Sequence, residues 1–486
     1  MPRVALGAGI VGVAVRLQAL LSGRSLWLDE AMLATNITGR GYRGLLHPLD
    51  NAQGAPVLFL WVERTAVLVL GNNEWALRVL PFAAGLAVLP LTYVVGCRLG
   101  GTRVGSVALI LVSLSPSLVR YSTEVKQYSS DAAVTLALIA LALGALAGSR
   151  RELLTLVVAG AIAPWLSHPA LFTLAAVGVV LLVERRDRFV IGAGVVWLTS
   201  VAVEYVVSLR RLGRNRALLD YWHHGFPAHA SSALSWAAGA AVRFVGDPAA
   251  LRFSALVLAA SVIGALVLPR RRALVVLPFV FLLLAAAAHK FPFQGRVVLF
   301  LVPLLLVLVA AVARRTVGLA VVVAIGVAPV ATTLHRVIDP LPYPAGREVL
   351  TWVRHHRQPG DEVWLVDAAT PTWRYYDTRL GVPAQRELDW RPGSTCSPVP
   401  AGHVWVVHIY TLGGRAGAAG DRIRRALDPV AHRLVMHRFT DASATRYDLA
   451  APAAVVDGGR CLDAVRLAPT RPSGLRQGPL GSGRLS

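Results

Sequence analysis

The chain has 486 residues, of which 55% are hydrophobic and only 16% are charged. A soluble protein usually carries about 25% charged residues, so this composition excludes an ordinary soluble enzyme. The net charge of +22 is typical of nucleic-acid-binding proteins. In so apolar a chain, however, excess arginine first indicates the cytoplasmic loops of a membrane protein, and we expect no nucleic-acid partner.

Long apolar runs fill the first two thirds of the chain and end near residue 334. A membrane-spanning helix needs roughly 20 apolar residues, so we expect about 11 spans. The expected spans are residues 4–21, 76–98, 104–119, 131–147, 153–167, 170–184, 189–208, 252–268, 272–288, 297–313 and 316–334. The first run has no small-residue cleavage site, and we interpret it as an uncleaved span rather than a signal peptide.

Arginine clusters predict which ends of the spans face the cytoplasm. A further apolar run at 56–70, PVLFLWVERTAVLVL, carries Glu63 and Arg64 in its middle, where charges are costly in a bilayer. If this run does not span, the loops CRLGGTRVG, GSRREL, ERRDR, PRRRA and ARRT all lie in the cytoplasm, as the positive-inside rule requires. We therefore predict an interfacial or re-entrant helix at 56–70, and the parity of the spans places the C-terminal region outside the cytoplasm.

The composition becomes that of a soluble domain after the last expected span. We expect a transmembrane domain at 1–335 with a first outer loop at 22–75, a small extracytoplasmic α/β domain at 336–465 and a disordered tail at 466–486. Helix-like and strand-like segments alternate in the soluble domain, from AGREVLTWVRHHRQ and PGDEVWLVDA through GHVWVVHIY and GDRIRRALDPV to ATRYDLA. This alternation is typical of a partly parallel sheet covered by helices.

The sequence contains no strong metal-binding motif. Its three cysteines lack metal-ligand spacing. Cys396 and Cys461 are both expected outside the cytoplasm, where disulfides form, and a disulfide between them is one of two alternatives. The outer loop 209–251 contains LLDYWHHGFP, but the adjacent His223 and His224 are poorly placed to converge on one ion. We expect the aromatic side chains of this loop to pack against sugar or lipid.

An acidic pair follows the first span, in the stretch SLWLDEAMLATNI at residues 25–37. The residues AMLATNI have helix-like spacing, and Asp29 is placed to cap that helix, which leaves Glu30 to point into a cleft. A carboxylate beside an apolar surface tends to have a raised pKa and can accept a proton from a hydroxyl as a general base. The pair predicts an acid–base site, and the alternative is two solvated loop charges.

A second polar stretch, YSTEVKQYSSD, precedes the fourth expected span. Its side chains that fall on or beside one helical face are Tyr121, Glu124, Lys126, Gln127 and Tyr128. Lys126 and Lys290 are the only lysines among 49 Lys and Arg residues, and a compact ammonium suits a phosphate or a phosphate leaving group. The stretch indicates an anion site, and the alternative is an interfacial belt of aromatic side chains.

Two further outer segments add polar side chains. HKFPFQGR contributes Lys290, Gln294 and Arg296 between two expected spans. Basic residues on the outer side run against the positive-inside trend, which indicates anion binding, whereas snorkelling into the lipid headgroups is the alternative. LSHPAL places His168 before a proline at a span junction, where a structural and a functional histidine both fit.

Several segments, taken in order, resemble membrane glycosyltransferases of the GT-C fold, in the branch of the protein O-mannosyltransferases and the lipid A aminoarabinose transferase. LWLDEA looks like that branch's acidic pair in the first outer loop, and EWALRVLPFAAGL like the segment that opens its second span. LSPSLVRYSTEVKQYSSD is similar to the motif that closes the third span, and FPFQGRVVLFLVPLL to a late outer loop. The resemblance covers roughly residues 20–310.

The resemblance implies a polytopic α-helical enzyme that transfers a sugar from a polyprenyl phosphate to a glycan, glycolipid or protein outside the cytoplasm. It implies Asp29 as the catalytic base with Glu30 beside it, and Asp131 as a second acidic position. The side chains implied at the donor phosphate are Lys126, Tyr128, Lys290 and Arg296. Because relatives differ in their need for a divalent metal, Mg²⁺ or Mn²⁺ is left open.

Two other classes of protein are alternatives to this enzyme. A lipid or glycan transporter or flippase would have inverted repeats and ionisable groups near the membrane midplane, but the sequence has no internal repeat and its charges fall on one face. A non-catalytic envelope assembly protein would use the terminal domain to bind a partner.

Overall fold

The computed structural model of the chain describes residues 3–185, 188–340, 343–384, 386–390, 402–411, 431–449 and 465–469, with positions 420, 421, 424, 427 and 428. Contacts divide the chain into two compact units. The first unit contains Met1–Gly23 and Met32–Leu341, and the second contains Arg24–Ala31 and Pro342–Ser486. Cys396 and Cys461 lie outside the described residues, so their pairing stays a prediction.

Helices build the first unit. They are α1 (Arg3–Leu21), α2 (Leu28–Gly39, which starts in the second unit), α3 (Val57–Leu70), α4 (Val79–Gly100), α5 (Thr102–Ser113), α6 (Pro116–Tyr121), α7 (Tyr128–Leu146), α8 (Arg150–Leu166), α9 (Ala170–Glu184), α10 (Arg188–Glu204), α11 (Arg210–Leu212), α12 (Arg216–Tyr221), α13 (Ala233–Gly246), α14 (Ser254–Val267), α15 (Ala273–Ala287), α16 (Val302–Ala311) and α17 (Thr316–Ile338). The expected span 104–119 is divided between α5 and α6, because Pro116 lacks the N–H needed to continue a helix and begins a new one.

Six helical stretches of the described residues are long and apolar enough to cross a membrane. They are Arg3–Leu21, Ala76–Gly100, Tyr128–Leu146, Arg188–Leu212, Gly295–Arg314 and Thr316–Ile338. Shorter apolar helices occur at Thr102–Ser113, Ala170–Glu184, Ala233–Gly246 and Ser254–Val267. The predicted polytopic helical architecture is confirmed, while the number of crossings, about 11, stays a prediction.

The five arginine loops lie at one end of the first unit. The contacts that join successive loops are the ion pairs Arg98–Glu152 at 2.6 Å and Arg271–Glu184 at 3.1 Å, with hydrogen bonds from Arg185 to the Ala145 carbonyl and from Arg314 to the Val267 carbonyl, both at 3.1 Å. Loops that share one end of a bundle face the same compartment. This arrangement is the one that the positive-inside interpretation requires.

The orientation of α1 is fixed by a buried arginine. Arg16, which is 0% exposed, donates hydrogen bonds to the carbonyl oxygens of Val112 and Ser113 at 3.1 Å each. These are the last residues of α5, so α1 runs parallel to α5 and ends opposite the arginine loops. Helix α4 begins at the same end of the unit as that where α1 ends. The segment between α1 and α4, which contains α3, therefore leaves and returns to one end of the unit.

The charged pair in α3 faces the protein rather than lipid, although neither Glu63 carboxylate oxygen has a hydrogen-bond partner among the described residues. The Glu63 side chain is 0% exposed, and Arg64 donates to the carbonyl oxygens of Ile37 at 3.2 Å and Thr38 at 2.8 Å. With 14 residues, α3 is also shorter than the roughly 20 residues that a span needs.

The second unit is a mixed sheet flanked by helices. Its described elements are α18 (Gly346–His356), β1 (Glu362–Val366), α19 (Thr370–Leu380), β2 (Arg386–Trp390), β3 (Gly402–Ile409), β4 (His432–Phe439), β5 (Ala442–Leu449) and β6 (Val465–Pro469). The strand order is β4-β5-β3-β1-β2-β6, with β1 parallel to both β2 and β3 and the other pairs antiparallel. Strand β6 includes the first residues of the segment expected as a disordered tail, and the helix expected at GDRIRRALDPV lies largely outside the described residues.

A buried carboxylate joins the two halves of this sheet. Asp361, just before β1, is 2% exposed. It accepts hydrogen bonds from Arg446 of β5 at 2.9 Å, from the Trp405 indole of β3 at 3.0 Å and from the Gln358 N–H at 3.0 Å. Burial alone would raise the pKa of Asp361, but these hydrogen bonds and the charge of Arg446 hold the pKa below its ordinary value of 3.8.

We expect Asp361→Asn to lower the free energy of unfolding of the second unit by roughly 3 kcal/mol, because it leaves the Arg446 guanidinium without its carboxylate. A carboxyl group whose pKa is lower in the folded state stabilises the fold at neutral pH, and this contribution is lost as the pH falls below about 4. The variant should lack this pH dependence. Thermal unfolding, followed by tryptophan fluorescence between about pH 7 and pH 3, measures both effects.

Asp448→Asn serves as the control, since Asp448 is a half-exposed carboxylate on the same strand as Arg446. An Asp361→Asn protein with the same stability and pH profile as the control would contradict this account of the sheet.

Candidate functional site

The acidic pair of the first outer loop lies in the first turn of α2. Glu30 is 1% exposed, and its carboxylate accepts a hydrogen bond from the Trp27 N–H at 2.9 Å. A glutamate at the third helical position that reaches back to the residue before the helix caps the first turn. Glu30 therefore caps the helix, and the prediction that Asp29 does so is wrong. Asp29 is half-buried.

The stretch YSTEVKQYSSD is not one continuous helix. Helix α6 ends at Tyr121, residues 122–127 form a turn, and α7 begins at Tyr128. Inside the turn the Lys126 N–H donates to the Glu124 carbonyl at 2.7 Å. The Tyr121 and Tyr128 rings still meet edge to face, with centroids 5.3 Å apart. The predicted proximity of the two tyrosines is thus produced by a turn rather than by helical spacing.

This turn contacts residues 53 and 54 of the first outer loop. Lys126 is 6% exposed, and its ammonium donates to the Gln53 side-chain oxygen at 2.6 Å. The Gln127 side chain donates to the Gly54 carbonyl at 3.3 Å. Gln53 carries no signal in the sequence, because it lies in a polar loop 73 residues from its partner.

Two arginines approach this turn. Arg120 forms an ion pair with Glu124 at 2.7 Å, and the Arg296 guanidinium carbon lies 5.9 Å from the ring centre of Tyr128. It lies at the same distance, 5.9 Å, from the ring centre of Trp222. Arg120 was not predicted, whereas Trp222 belongs to the LLDYWHHGFP loop, whose aromatic side chains were expected to pack against sugar or lipid.

The charges of both arginines act on two acidic groups, the buried Tyr121 and the more exposed Asp247. Burial raises the pKa of Tyr121, the charge of Glu124 raises it further, and Arg120 and Arg296 oppose this rise. Burial also raises the pKa of Asp247, again opposed by Arg120 and Arg296. The Arg120 guanidinium carbon lies 5.5 Å from the Tyr121 ring centre. We call the group Arg120, Tyr121, Tyr128, Asp247 and Arg296 the arginine–tyrosine cluster.

The other predicted residues are distributed around α7 and its neighbours. Asp131, in the first turn of α7, is 3% exposed. The His168 ring lies 3.1 Å from the carboxylate of Glu204, a buried residue at the end of α10 that was not predicted. Lys290 is exposed, and among the described contacts only Arg296 of the HKFPFQGR segment reaches the arginine–tyrosine cluster.

Several buried polar atoms in this region have no hydrogen-bond partner among the described residues. They are the side-chain oxygens Gln127 Oε1, Asp131 Oδ1, Glu204 Oε2 and Gln294 Oε1. Because more than roughly 90% of buried polar groups in proteins are hydrogen-bonded, these atoms call for partners from water or a polar ligand.

Metal-ligating side chains are not clustered in the described residues. Within the described ranges, no group of three or more His, Cys, Asp or Glu side chains is placed to hold a metal ion. In the LLDYWHHGFP loop, the rings of His223 and His224 lie 3.8 Å apart, and the His223 Nδ1 atom lies 2.7 Å from the Asp220 carbonyl. The role of Mg²⁺ or Mn²⁺ therefore stays a prediction.

Comparison with known proteins identifies the fold. No family model matches the chain, and no curated protein is significantly similar to it in sequence. The chain is similar to the crystal structure of ArnT from Cupriavidus metallidurans bound to undecaprenyl phosphate, with 14% identity over 90% of this chain and 97% of that chain and a TM-score of 0.51. It also matches the Archaeoglobus fulgidus oligosaccharyltransferase in complex with Zn and sulfate, with 11% identity over 80% and 68% of the two chains and a TM-score of 0.49. The chain has the GT-C membrane fold that the sequence resemblance implied.

Proposed function

We propose that the chain is an integral membrane glycosyltransferase that moves a hexosyl or pentosyl group from a polyprenyl-phosphate donor to an acceptor outside the cytoplasm. The observation that carries the proposal is the buried ammonium of Lys126, 6% exposed, in the turn that precedes a membrane-length helix. A lipid-linked phosphate presents its charge at this depth, where apolar helices meet the aqueous phase. ArnT, which has this fold, was crystallised with undecaprenyl phosphate.

Cations and a helix terminus favour an anion at this turn. Lys126 precedes α7 by two residues, and Arg120 and Arg296 belong to the neighbouring cluster. The first N–H groups of a helix have no partners within the helix and carry a partial positive charge, so the start of α7 adds to the attraction. We assign the donor phosphate to these groups.

The remaining candidates are assigned to the headgroup and sugar of the donor. They are Tyr121, Glu124, Gln127, Tyr128, Asp131, His168, Lys290 and Gln294. The unpartnered oxygens of Gln127, Asp131 and Gln294 suit sugar hydroxyls, because each can accept a hydrogen bond from a hydroxyl donor.

The proposed reaction needs one base and one stabilised leaving group. Asp29 removes the proton from the acceptor hydroxyl, the hydroxyl oxygen bonds to the anomeric carbon, and the bond from that carbon to the phosphate oxygen breaks. The departing polyprenyl phosphate keeps the bonding electron pair, and its charge is stabilised by Lys126 and the arginines. Glu30 is assigned to the helix cap, and no step is assigned to a metal.

We expect Asp29→Asn to lower kcat for sugar transfer by at least about 100-fold, because an amide cannot act as a general base. Glu30→Gln should lower kcat by less than about 10-fold, since the glutamine oxygen can still accept the Trp27 N–H. The measurement is transfer of radiolabelled sugar from synthetic polyprenyl-phosphate donors in membranes that contain each variant.

Asp50→Asn is the control, because Asp50 is an exposed carboxylate of the same loop, paired with Arg40 at 2.8 Å. Unchanged sugar transfer by the Asp29→Asn protein would show that Asp29 is not the general base. A wild-type protein that transports the labelled lipid without transferring its sugar would favour a flippase instead.

Lys126→Gln should raise the KM for the lipid donor by about 10-fold or more, since it removes a buried cation from the phosphate site. Lys290→Gln, which removes an exposed ammonium, should raise it by less than about 3-fold, because water screens exposed charges. Donor titrations at saturating acceptor concentration measure both values. Equal effects of the two substitutions would contradict the assignment of the phosphate to Lys126.

A further inference from the structure

The acidic segment Arg24–Ala31 is held within the second unit by consecutive contacts. The Arg24 guanidinium lies 4.1 Å from the ring centre of Tyr343. The Ser25 hydroxyl donates to the Glu348 carboxylate at 2.6 Å and accepts the Arg347 N–H at 3.1 Å. These contacts fix the start of the segment on the first turn of α18.

The next two residues contact two tyrosines. The Leu26 N–H donates to the Tyr376 hydroxyl of α19 at 2.9 Å, and both residues are 0% exposed. The Trp27 ring meets the Tyr410 ring edge to face at 5.4 Å. Successive residues of the segment are thus bound by α18, by α19 and by the residue that follows β3.

These contacts lie at the carboxyl ends of the parallel strands β1 and β3. Tyr410 directly follows β3, and Thr372 lies in the first turn of α19, soon after β1. Their hydroxyl groups are 2.6 Å apart and joined by a hydrogen bond. Open α/β sheets bind ligands in the crevice outside the carboxyl ends of their strands. In this chain that crevice holds a segment of the chain's own first outer loop.

Tyr410 has the backbone conformation of a constrained residue. Its φ is +71°, which is unfavourable for a bulky side chain, and its N–H donates to the Asp441 carbonyl at 2.8 Å. Such conformations persist where the surrounding structure imposes them, often at functional sites. Burial raises the pKa of the Tyr410 hydroxyl, and the charges of Glu30 and Asp29 raise it further, so the side chain lies within the field of the acidic pair.

We propose that the C-terminal domain positions the acidic pair: its crevice binds Arg24–Ala31, with Tyr376 and Tyr410 as positioning residues for Asp29. The positioning role depends on the proposed glycosyltransferase reaction, whereas the binding of the segment does not. A base held by buried contacts keeps one geometry, and displacement of a catalytic group by about 1 Å can cost roughly 100-fold in rate.

Tyr376→Phe tests both parts in the full-length protein. The variant keeps the buried ring and removes the acceptor of the Leu26 N–H, so hydrogen exchange at Leu26 and Trp27 should become about 10-fold faster or more. If the segment positions the base, kcat should fall by about 10-fold or more with the donor KM unchanged. Hydrogen exchange by mass spectrometry and steady-state kinetics are measured on the same preparation.

Tyr375→Phe is the matched control, because Tyr375 is an adjacent buried tyrosine on α19 whose ring meets the Tyr376 ring edge to face at 5.0 Å and lies 6.0 Å from the Arg379 guanidinium carbon. It should change neither exchange at Leu26 nor kcat. Unchanged exchange in Tyr376→Phe, or equal acceleration in both variants, would overturn the binding of the segment. Faster exchange with unchanged kcat would overturn the positioning role. A wild-type protein that transfers no sugar counts against the proposed function, and the exchange comparison still decides where the segment binds.

Discussion

Arginine side chains that bind the carbonyl oxygens at helix C-termini determine how the helical unit is assembled. The last carbonyls of a helix have no partners within it, and lipid offers none. Arg16 supplies donors to the end of α5, and Arg185 and Arg271 bind the last carbonyls of α7 at 3.1 and 2.8 Å. Each guanidinium also places a positive charge where the helix dipole is negative. Arg185 and Arg271 are therefore structural groups as well as members of the loops from which the topology is predicted.

The opposite end of α7 has the complementary character. Its C-terminus is neutralised by two arginines, while its N-terminus follows Lys126 and carries buried oxygens that have no partner among the described residues. The partial positive charge of a helix N-terminus, together with the Lys126 ammonium, favours an anion at this end of α7. The two ends of α7 thus differ in charge, and the proposed donor site lies at the positive end.

The helices could be predicted from the sequence because apolar run length is a local property, and the corrections concern contacts between distant residues. The Lys126–Gln53 bond joins residues 73 positions apart, and the Ser25–Glu348 bond joins residues 323 positions apart. Residue rarity marked Lys126 and Lys290 equally, yet one is buried and the other exposed. Periodicity could not foresee the break between Tyr121 and Tyr128, because the turn is stabilised by contacts with a separate loop.

The two adjacent carboxylates illustrate how a sequence can predict a helix cap without showing which residue forms it. Either residue could cap α2 by sequence, because an acidic group is favourable anywhere in a first helical turn. The structure uses the longer side chain, since the Glu30 carboxylate reaches back to the Trp27 N–H at 2.9 Å and becomes buried there. The Glu30 carboxylate thus stabilises the first turn of the helix, and the proposed mechanism gives it no chemical step. The proposed mechanism accordingly gives the base to the neighbouring residue, Asp29, which is half-buried.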